Sequence, residues 1–319
     1  RMDLSPLDAA WLERIDARVR GDNERSFRAA RRMVEIAPGS AWTISLANTA
    51  LDTRRAALAR EALLSIAPDK LGTERATYWL LLARADHLLG EHARELRTTE
   101  AGIRASGRSV LMLLAHVRAL AALGRTGPME EDLTELTARR PEGVPPPARL
   151  VGLAALELRG HGHPDEARRL LDRWLPRFDS PAAAGPRASA AALALLHLEH
   201  GDLAVADSLA RAALADTTDP VTPRGLLGLV AAKRGDRAGA RRWSAELAAV
   251  HHPYLFGHQT LWRARIAAAL GDYPRAIALL RQASAEGADY HAWSMVHVVP
   301  EFEPMRRMHA FRLLVEPRD

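Results

Sequence analysis

Residues 270–283 read LGDYPRAIALLRQA. Gly271 can adopt the left-handed conformation in which many helices end, and Asp272 can cap the N-terminus of a following helix. The residues after Asp272 then favour a second helix. The sequence therefore predicts two helices joined by a tight turn.

The same turn recurs along the chain with a period of thirty-odd residues. Glycines followed by an acidic or basic residue occur at Gly21, Gly90, Gly124, Gly160, Gly201, Gly235 and Gly271. Their successive gaps are 69, 34, 36, 41, 34 and 36 residues, and a degenerate turn at 51–56 divides the first gap. Prolines such as Pro38 and Pro220 follow the second helix, which they prevent from continuing. A period of this length is typical of helical repeats and predicts eight helical hairpins.

The composition favours helices throughout. Hydrophobic residues make up 48% of the chain but aromatic residues only 5%, and the apolar share comes mainly from Ala and Leu, which are good helix formers. Alternating runs of β-branched and aromatic residues, the usual mark of strands, are absent. The sequence therefore predicts an all-α protein.

Residues 270–283 resemble the turn and second helix of a tetratricopeptide repeat, with Ala276 and Ala283 at the two small-residue positions of that family. Other units match in part, including Trp79 and Leu82 before Gly90. The resemblance implies a right-handed α-solenoid of about eight helical hairpins with a C-terminal capping helix. It also implies that the first helix of each hairpin lines an inner groove.

Two proline-rich stretches interrupt the period, near 141–149 and 181–187. We predict that both are loops within a repeat domain that covers 1–287. After that the pattern changes, and 288–319 is predicted to be a cap over the exposed end of the last repeat. This tail resembles the closing segment of tetratricopeptide regions in bacterial serine/threonine kinase-like and cyclase- or transcription-regulator-like proteins, which implies a sensory or docking module.

The net charge of +5 comes with 44 basic and 39 acidic residues. Arginine pairs recur among acidic neighbours, which is typical of a solvated helix face rather than a phosphate-binding track. We therefore expect no nucleic-acid partner, and keep weak binding through the arginine-rich surface as an alternative. No apolar run is long enough to predict a transmembrane segment. The localisation stays open between the cytoplasm and, if an upstream signal or anchor has been removed, an extracytoplasmic compartment.

The sequence contains no cysteine and none of the common phosphate-loop, dinucleotide-binding or nucleophile-elbow motifs. Three histidine groups have a weak resemblance to metal ligands: His197 with His200, then His251, His252 and His258, and finally His291 and His297 with Glu301. Their spacing fits ordinary structural histidines better. We predict no enzyme activity, no cofactor and no metal, and keep an unrecognised histidine and carboxylate site as an alternative.

The groove is where we expect a partner to bind. Counting back six residues from the turns gives the first three contacts, and counting back two or three gives the others: Arg84, Arg118 and Arg265, then His87, Glu157, Glu199 and Lys233. We hypothesise that Arg84 and Arg118 clamp a carboxylate, because guanidinium binds carboxylate in a bidentate fork. In the alternative interpretation, these arginines are solvated or paired with neighbouring glutamates.

The sequence thus predicts a non-catalytic scaffold for protein–protein interaction. Its expected partners are other proteins, through an acidic segment or as subunits of a larger assembly in a signalling or membrane-associated complex. An extended groove suits this role because it offers a large contact area on a rigid frame.

Overall fold

A computed structural model of the chain describes residues 4–139, 145–178 and 189–318. Over these ranges the chain consists of α-helices, short 3-10 helices and connecting turns, and contains no strand. The predicted all-α class is confirmed. No helix within the described ranges has both the length and the apolarity needed to cross a bilayer.

Consecutive helices form eight hairpins within the described ranges, as predicted. The first four hairpins are α1 (Pro6–Val19) with α2 (Asn23–Ile36), α3 (Trp42–Asp52) with α4 (Ala56–Leu64), α5 (Arg75–Leu88) with α6 (His92–Ser106), and α7 (Val110–Ala122) with α8 (Thr126–Arg139). The other four are α9 (Pro147–Gly160) with α10 (Pro164–Trp174), α11 (Ser189–His200) with α12 (Leu203–Asp216), α13 (Val221–Lys233) with α14 (Arg237–Ala248), and α15 (His258–Ala269) with α16 (Tyr273–Ala285). The chain continues through α17 (Tyr290–Val298), a 3-10 helix (Pro300–Met305) and α18 (His309–Val315).

Most hairpin turns have the predicted chemistry. Gly90 and Gly235 are left-handed, with φ of 72° and 80°. The side chain of Asp236 then accepts a hydrogen bond from the backbone N–H of Gly239 at 2.8 Å, which caps α14. Asp22 caps α2 in the same way.

One turn differs from the prediction, and the degenerate turn has no glycine. In the fifth hairpin the left-handed residue is Gly162, with φ of 89°, whereas Gly160 is the last residue of α9. A Cβ added to Gly160 would lie 2.9 Å from Val298, so this glycine allows close packing rather than a turn. In the second hairpin Arg54 takes the left-handed position, with φ of 64°.

First helices of consecutive hairpins pack against each other, as α3 does with α5, α9 with α11, α11 with α13, and α13 with α15. Glycines bring α13 and α15 close together. A Cβ on Gly225 would lie 2.1 Å from Trp262, and one on Gly228 would lie 2.3 Å from Ile266. This side-by-side stacking of hairpins is the predicted α-solenoid arrangement.

The chain divides into two compact units. Unit 1 comprises Arg1–Ala119, Ser284–Met295 and Val315–Asp319, and unit 2 comprises Leu120–Ala283 and Val296–Leu314. The C-terminal segment, residues 288–318, contributes to both units. Within unit 2 its 3-10 helix contacts α9 as well as α15, so the segment does more than cover the last hairpin. The division of the chain at residue 287 stays a prediction.

The predicted loops fall largely outside the described ranges. Residues 181–187 lie entirely outside them, and so do residues 141–144 of the first loop. Helix α9 begins at Pro147, two residues before the predicted end of the first loop. Proline suits the first position of a helix because its φ is already fixed near the helical value.

Candidate functional site

All seven predicted groove residues lie on first helices. Arg84 and His87 are on α5, Arg118 is on α7, Glu157 is on α9, Glu199 is on α11, Lys233 is on α13 and Arg265 is on α15. The first three belong to unit 1 and the other four to unit 2. Two of the three in unit 1, Arg84 and Arg118, contact the C-terminal segment, and so do Lys233 and Arg265 in unit 2. Their contact with another protein stays a prediction.

In unit 1, side chains from three successive first helices converge on Tyr290, which is 3% exposed. The backbone N–H of Tyr290 donates to Oδ1 of Asp52 at 3.1 Å. The guanidinium carbon of Arg84 lies 4.9 Å from the centre of the Tyr290 ring. Nη1 of Arg118 donates a hydrogen bond to the Tyr290 hydroxyl. Asp52, Arg84 and Arg118 are called the tyrosine site below.

A buried carboxylate orients Arg118. Its Nε donates to Oε1 of Glu95 at 2.7 Å, and Oε2 of Glu95 lies 2.9 Å from Nδ1 of His87 and 3.3 Å from Nδ1 of His92. Burial would raise the pKa of Glu95, but Arg118 and the two histidines outweigh it and hold this pKa well below its usual range. Glu95 is therefore ionised and keeps Arg118 directed at Tyr290.

Asp52 has the opposite electrostatic environment. Burial raises the pKa of Asp52 to about 6, and the neighbouring carboxylate of Asp289 adds to the increase. The N–H of Tyr290 and the charge of Arg18, 3.6 Å away, lower it by less. Asp52 thus accepts a hydrogen bond from the first residue of α17 while it carries a costly buried charge.

A second aromatic side chain of the C-terminal segment packs on the unusual turn of the second hairpin. The guanidinium of Arg54 lies 4.6 Å from the centre of the Trp293 ring, and Trp293 is 1% exposed. The backbone N–H of Arg318 donates to the carbonyl of Arg54 at 2.9 Å. These contacts support the left-handed arginine, a conformation that costs about 1–3 kcal/mol for a residue other than glycine.

Unit 2 contains a charged cluster around Glu301, which we call the glutamate site. Nε of Arg265 donates to Oε2 of Glu301 at 2.9 Å, and Nζ of Lys233 lies 3.7 Å from Oε1. Arg159 donates to Glu199 at 2.8 Å, while Arg265 lies 3.9 Å from Glu199. The glutamate site therefore combines three cations with two carboxylates.

The two carboxylates of the glutamate site differ in their titration. Burial raises the pKa of Glu199, and the charge of Glu301 raises it further. Burial would also raise the pKa of Glu301, but Arg265 and Lys233 outweigh it and lower this pKa. Glu301 is thus the carboxylate that the two first-helix cations hold in its charged form.

No protein-family model matches the chain, and no curated protein matches its sequence. The structure is similar to a tetratricopeptide repeat protein from Parabacteroides merdae, with 12% identity, a TM-score of 0.40, and coverage of 88% of this chain and 93% of that chain. It is also similar to PilW, a widely conserved type IV pilus biogenesis factor (15% identity, TM-score 0.35, coverage 66% and 92%), and to the APC/C hetero-tetramer Cut9-Hcn1 (14% identity, TM-score 0.39, coverage 91% and 54%).

The chain has a tetratricopeptide-like fold. This assignment rests on its glycine and aspartate turns and on its stacked helix pairs.

The two arginines of the predicted carboxylate clamp, Arg84 and Arg118, have partners within the chain. The guanidinium of Arg118 is bound to Glu95 and Tyr290, which for this arginine agrees with the alternative of pairing with a neighbouring glutamate. Arg84 lies instead against the ring of Tyr290. Arg265, also on a first helix, holds a carboxylate of the C-terminal segment, that of Glu301. Glu157 lies instead 3.3 Å from His161, the residue that follows α9.

The histidines considered as metal ligands have other partners. His200 lies between two carboxylates, 2.7 Å from Asp202 and 2.9 Å from Asp172. His258 accepts a hydrogen bond from the indole N–H of Trp262 at 3.1 Å. Nε2 of His291 lies 3.4 Å from Nη2 of Arg84.

Sequence reasoning missed Glu95 and Asp52. Counting along first helices could not find Glu95, because it lies on a second helix. One signal was available: Glu95 lies beside Leu96 on the buried side of α6, where a charge needs a partner. Asp52 was visible only as part of the degenerate turn at 51–56.

Proposed function

We propose that the protein is a non-catalytic recognition scaffold that binds a segment of another protein on the face formed by its first helices. The tyrosine site supports this proposal. This site holds a segment of the protein's own chain at Tyr290 by three contacts. Asp52 accepts its backbone N–H, Arg84 packs on its ring, and Arg118 donates to its hydroxyl. A groove that combines such contacts can select a linear segment by its side chains.

The site is built from rigid elements, which favours binding. Arg118 is fixed by the fully buried Glu95, so little side-chain entropy is lost when a ligand forms a hydrogen bond with it. The stacked first helices add a frame that needs no rearrangement. A preorganised surface of this kind suits a recognition module better than a flexible one.

The partner belongs to a larger assembly in this proposal, of the signalling or membrane-associated kind that the C-terminal resemblance implies. The glutamate site adds a preference for an acidic side chain, since Arg265 and Lys233 already hold the carboxylate of Glu301. Surface arginines offer less to nucleic acid. Arg31, for example, pairs with Glu35 at 3.2 Å, and Arg169 pairs with Glu166 at 2.8 Å.

Affinity capture from native cell extract tests the proposal with a matched pair of variants. Arg84→Gln removes a guanidinium of the tyrosine site, and Arg31→Gln removes an exposed one on α2. We expect at least one protein to be captured by the unchanged chain and by Arg31→Gln but not by Arg84→Gln. Capture that never depends on Arg84 would contradict recognition through this face.

A further inference from the structure

We infer that residues 288–295 occupy the tyrosine site as an internal ligand, and that the partner presents to this site a helical segment with a tyrosine followed three residues later by a tryptophan. The inference rests on the proposed function and adds the chemistry of the partner. Everything that carries it lies within unit 1.

The spacing of the two aromatic residues matches the spacing of the cations that receive them. Tyr290 and Trp293 are three residues apart, so they lie on the same side of α17. Arg84 lies 4.9 Å from the first ring and Arg54 lies 4.6 Å from the second. Stacking of guanidinium on aromatic rings is selective for such side chains and stabilises a complex more when the pair is desolvated.

The hydrogen bonds add direction to this recognition. The first N–H groups of a helix have no partner within the helix. Asp52 accepts the N–H of Tyr290, so this site selects the beginning of a helix rather than its middle. Arg118 then distinguishes tyrosine from phenylalanine through the hydroxyl.

The internal segment fills the site at an electrostatic cost, and this cost makes exchange feasible. Asp289, which caps α17 by accepting the N–H of Ala292, adds a carboxylate next to Asp52. A partner whose capping residue is uncharged avoids this repulsion and can displace the internal segment.

A labelled peptide tests the inference. The probe is a fluorescein-labelled synthetic peptide with the sequence of residues 286–297, and binding is measured by fluorescence polarisation to the full chain. Tyr290→Ala weakens the internal segment, so we expect this variant to bind the probe at least about tenfold more tightly than the unchanged chain. Tyr254→Ala is the matched control, because this tyrosine is 67% exposed in unit 2, and we expect no change.

Two further changes show which site the probe uses. Arg84→Gln in the Tyr290→Ala background is expected to weaken binding at least about tenfold. A probe with asparagine at the position of Asp289 is expected to bind more tightly than the original probe. If Tyr290→Ala loses its helical circular-dichroism signal, Tyr290→Phe replaces it, with an expected gain of about threefold because only the hydroxyl is lost.

The results separate this inference from the proposed function. Equal affinity of the folded Tyr290 variant and the unchanged chain, or affinity that does not depend on Arg84, would show that residues 288–295 are a fixed part of the fold. An Arg84-dependent partner could then still be captured from extract, and the proposed function would stand. If that capture also fails, both are wrong.

Discussion

The hydroxyl of Tyr290 accepts a hydrogen bond from the guanidinium of Arg118, which lies 172 residues earlier in the chain. The same guanidinium donates to the buried carboxylate of Glu95 at 2.7 Å. A carboxylate on a second helix thus determines how a cation on a first helix meets the C-terminal segment. The position of Arg118 at Tyr290 therefore depends on a charge that has no contact with solvent.

Glu95→Gln is expected to destabilise the protein by about 3 kcal/mol, because Arg118 loses its buried anionic partner. Urea unfolding followed by circular dichroism measures the loss. The matched control is Glu91→Gln, which breaks the exposed pairs with Arg60 and Arg94 and should change stability little.

The pH dependence of Glu95 has a definite sign. Its contribution is present above about pH 4.3, the pKa of an unfolded glutamate, and is lost as the pH falls towards its lowered folded-state pKa. Glu95→Gln should therefore destabilise less at pH 3.5 than at pH 7. An equal loss at both pH values would contradict the buried ion pair.

Asp52→Asn is expected to change stability with the opposite dependence on pH. An unfolded aspartate has a pKa of about 3.9, whereas folding raises that of Asp52 to about 6. The folded state then binds a proton that the unfolded state lacks, so the contribution of Asp52 is present below the unfolded value and is lost as pH rises through 6.

The loss corresponds to about 2 kcal/mol between pH 4 and pH 7.5. The asparagine still accepts the N–H of Tyr290 but does not titrate. The difference in unfolding free energy between Asp52→Asn and the unchanged chain should therefore grow in favour of the variant as the pH rises. A pH-independent difference would show that Asp52 is not buried against α17.

Two glycines of α9 give a third prediction. A Cβ at Gly160 would lie 2.9 Å from Val298, so Gly160→Ala should destabilise by about 1–3 kcal/mol. At Gly152 the nearest atom is 3.7 Å away, on Leu196, so Gly152→Ala should be neutral or stabilise by about 0.5–1 kcal/mol through its helix propensity. Thermal unfolding compares the two. Equal effects would contradict the packing of Val298 on the end of α9.

The helical hairpins could be predicted from the sequence because the residues that define their turns are close together in the chain. A left-handed glycine and a capping aspartate act within a few residues, as Gly235 and Asp236 do. Gly160 was wrongly predicted to form the turn, because the reason for a glycine there is a tertiary contact. The neighbour that requires it is Val298, far along the chain.

The predicted groove residues could be placed on first helices because positions six, and two or three, residues before a turn fall within the helix that precedes it. Their partners were not found, because no local pattern indicates which side chain a groove residue meets. The sequence suggested that Arg118 binds a carboxylate of a partner, whereas in the structure Arg118 donates to Glu95 and Tyr290. Arg54 reads as a surface arginine, yet Trp293 covers it.

Binding to nucleic acid is expected to be weak, because many surface arginines pair with carboxylates, as Arg55 does with Glu24. Fluorescence polarisation with a labelled 20-base-pair DNA and a labelled single-stranded RNA, each between 50 and 200 mM salt, checks this. Micromolar or tighter binding at 150 mM salt with a steep loss at higher salt would instead indicate a phosphate-binding surface.

Hydrogen exchange at the backbone amide of Tyr290, followed by NMR, tests the central claim most directly. This amide begins α17 and donates to Asp52 of α3, so it is protected only while the C-terminal segment lies in the tyrosine site. We predict slow exchange in the unchanged chain and fast exchange in Asp52→Ala. Fast exchange of Tyr290 in the unchanged chain, with the amides of α5 still protected, would contradict the account.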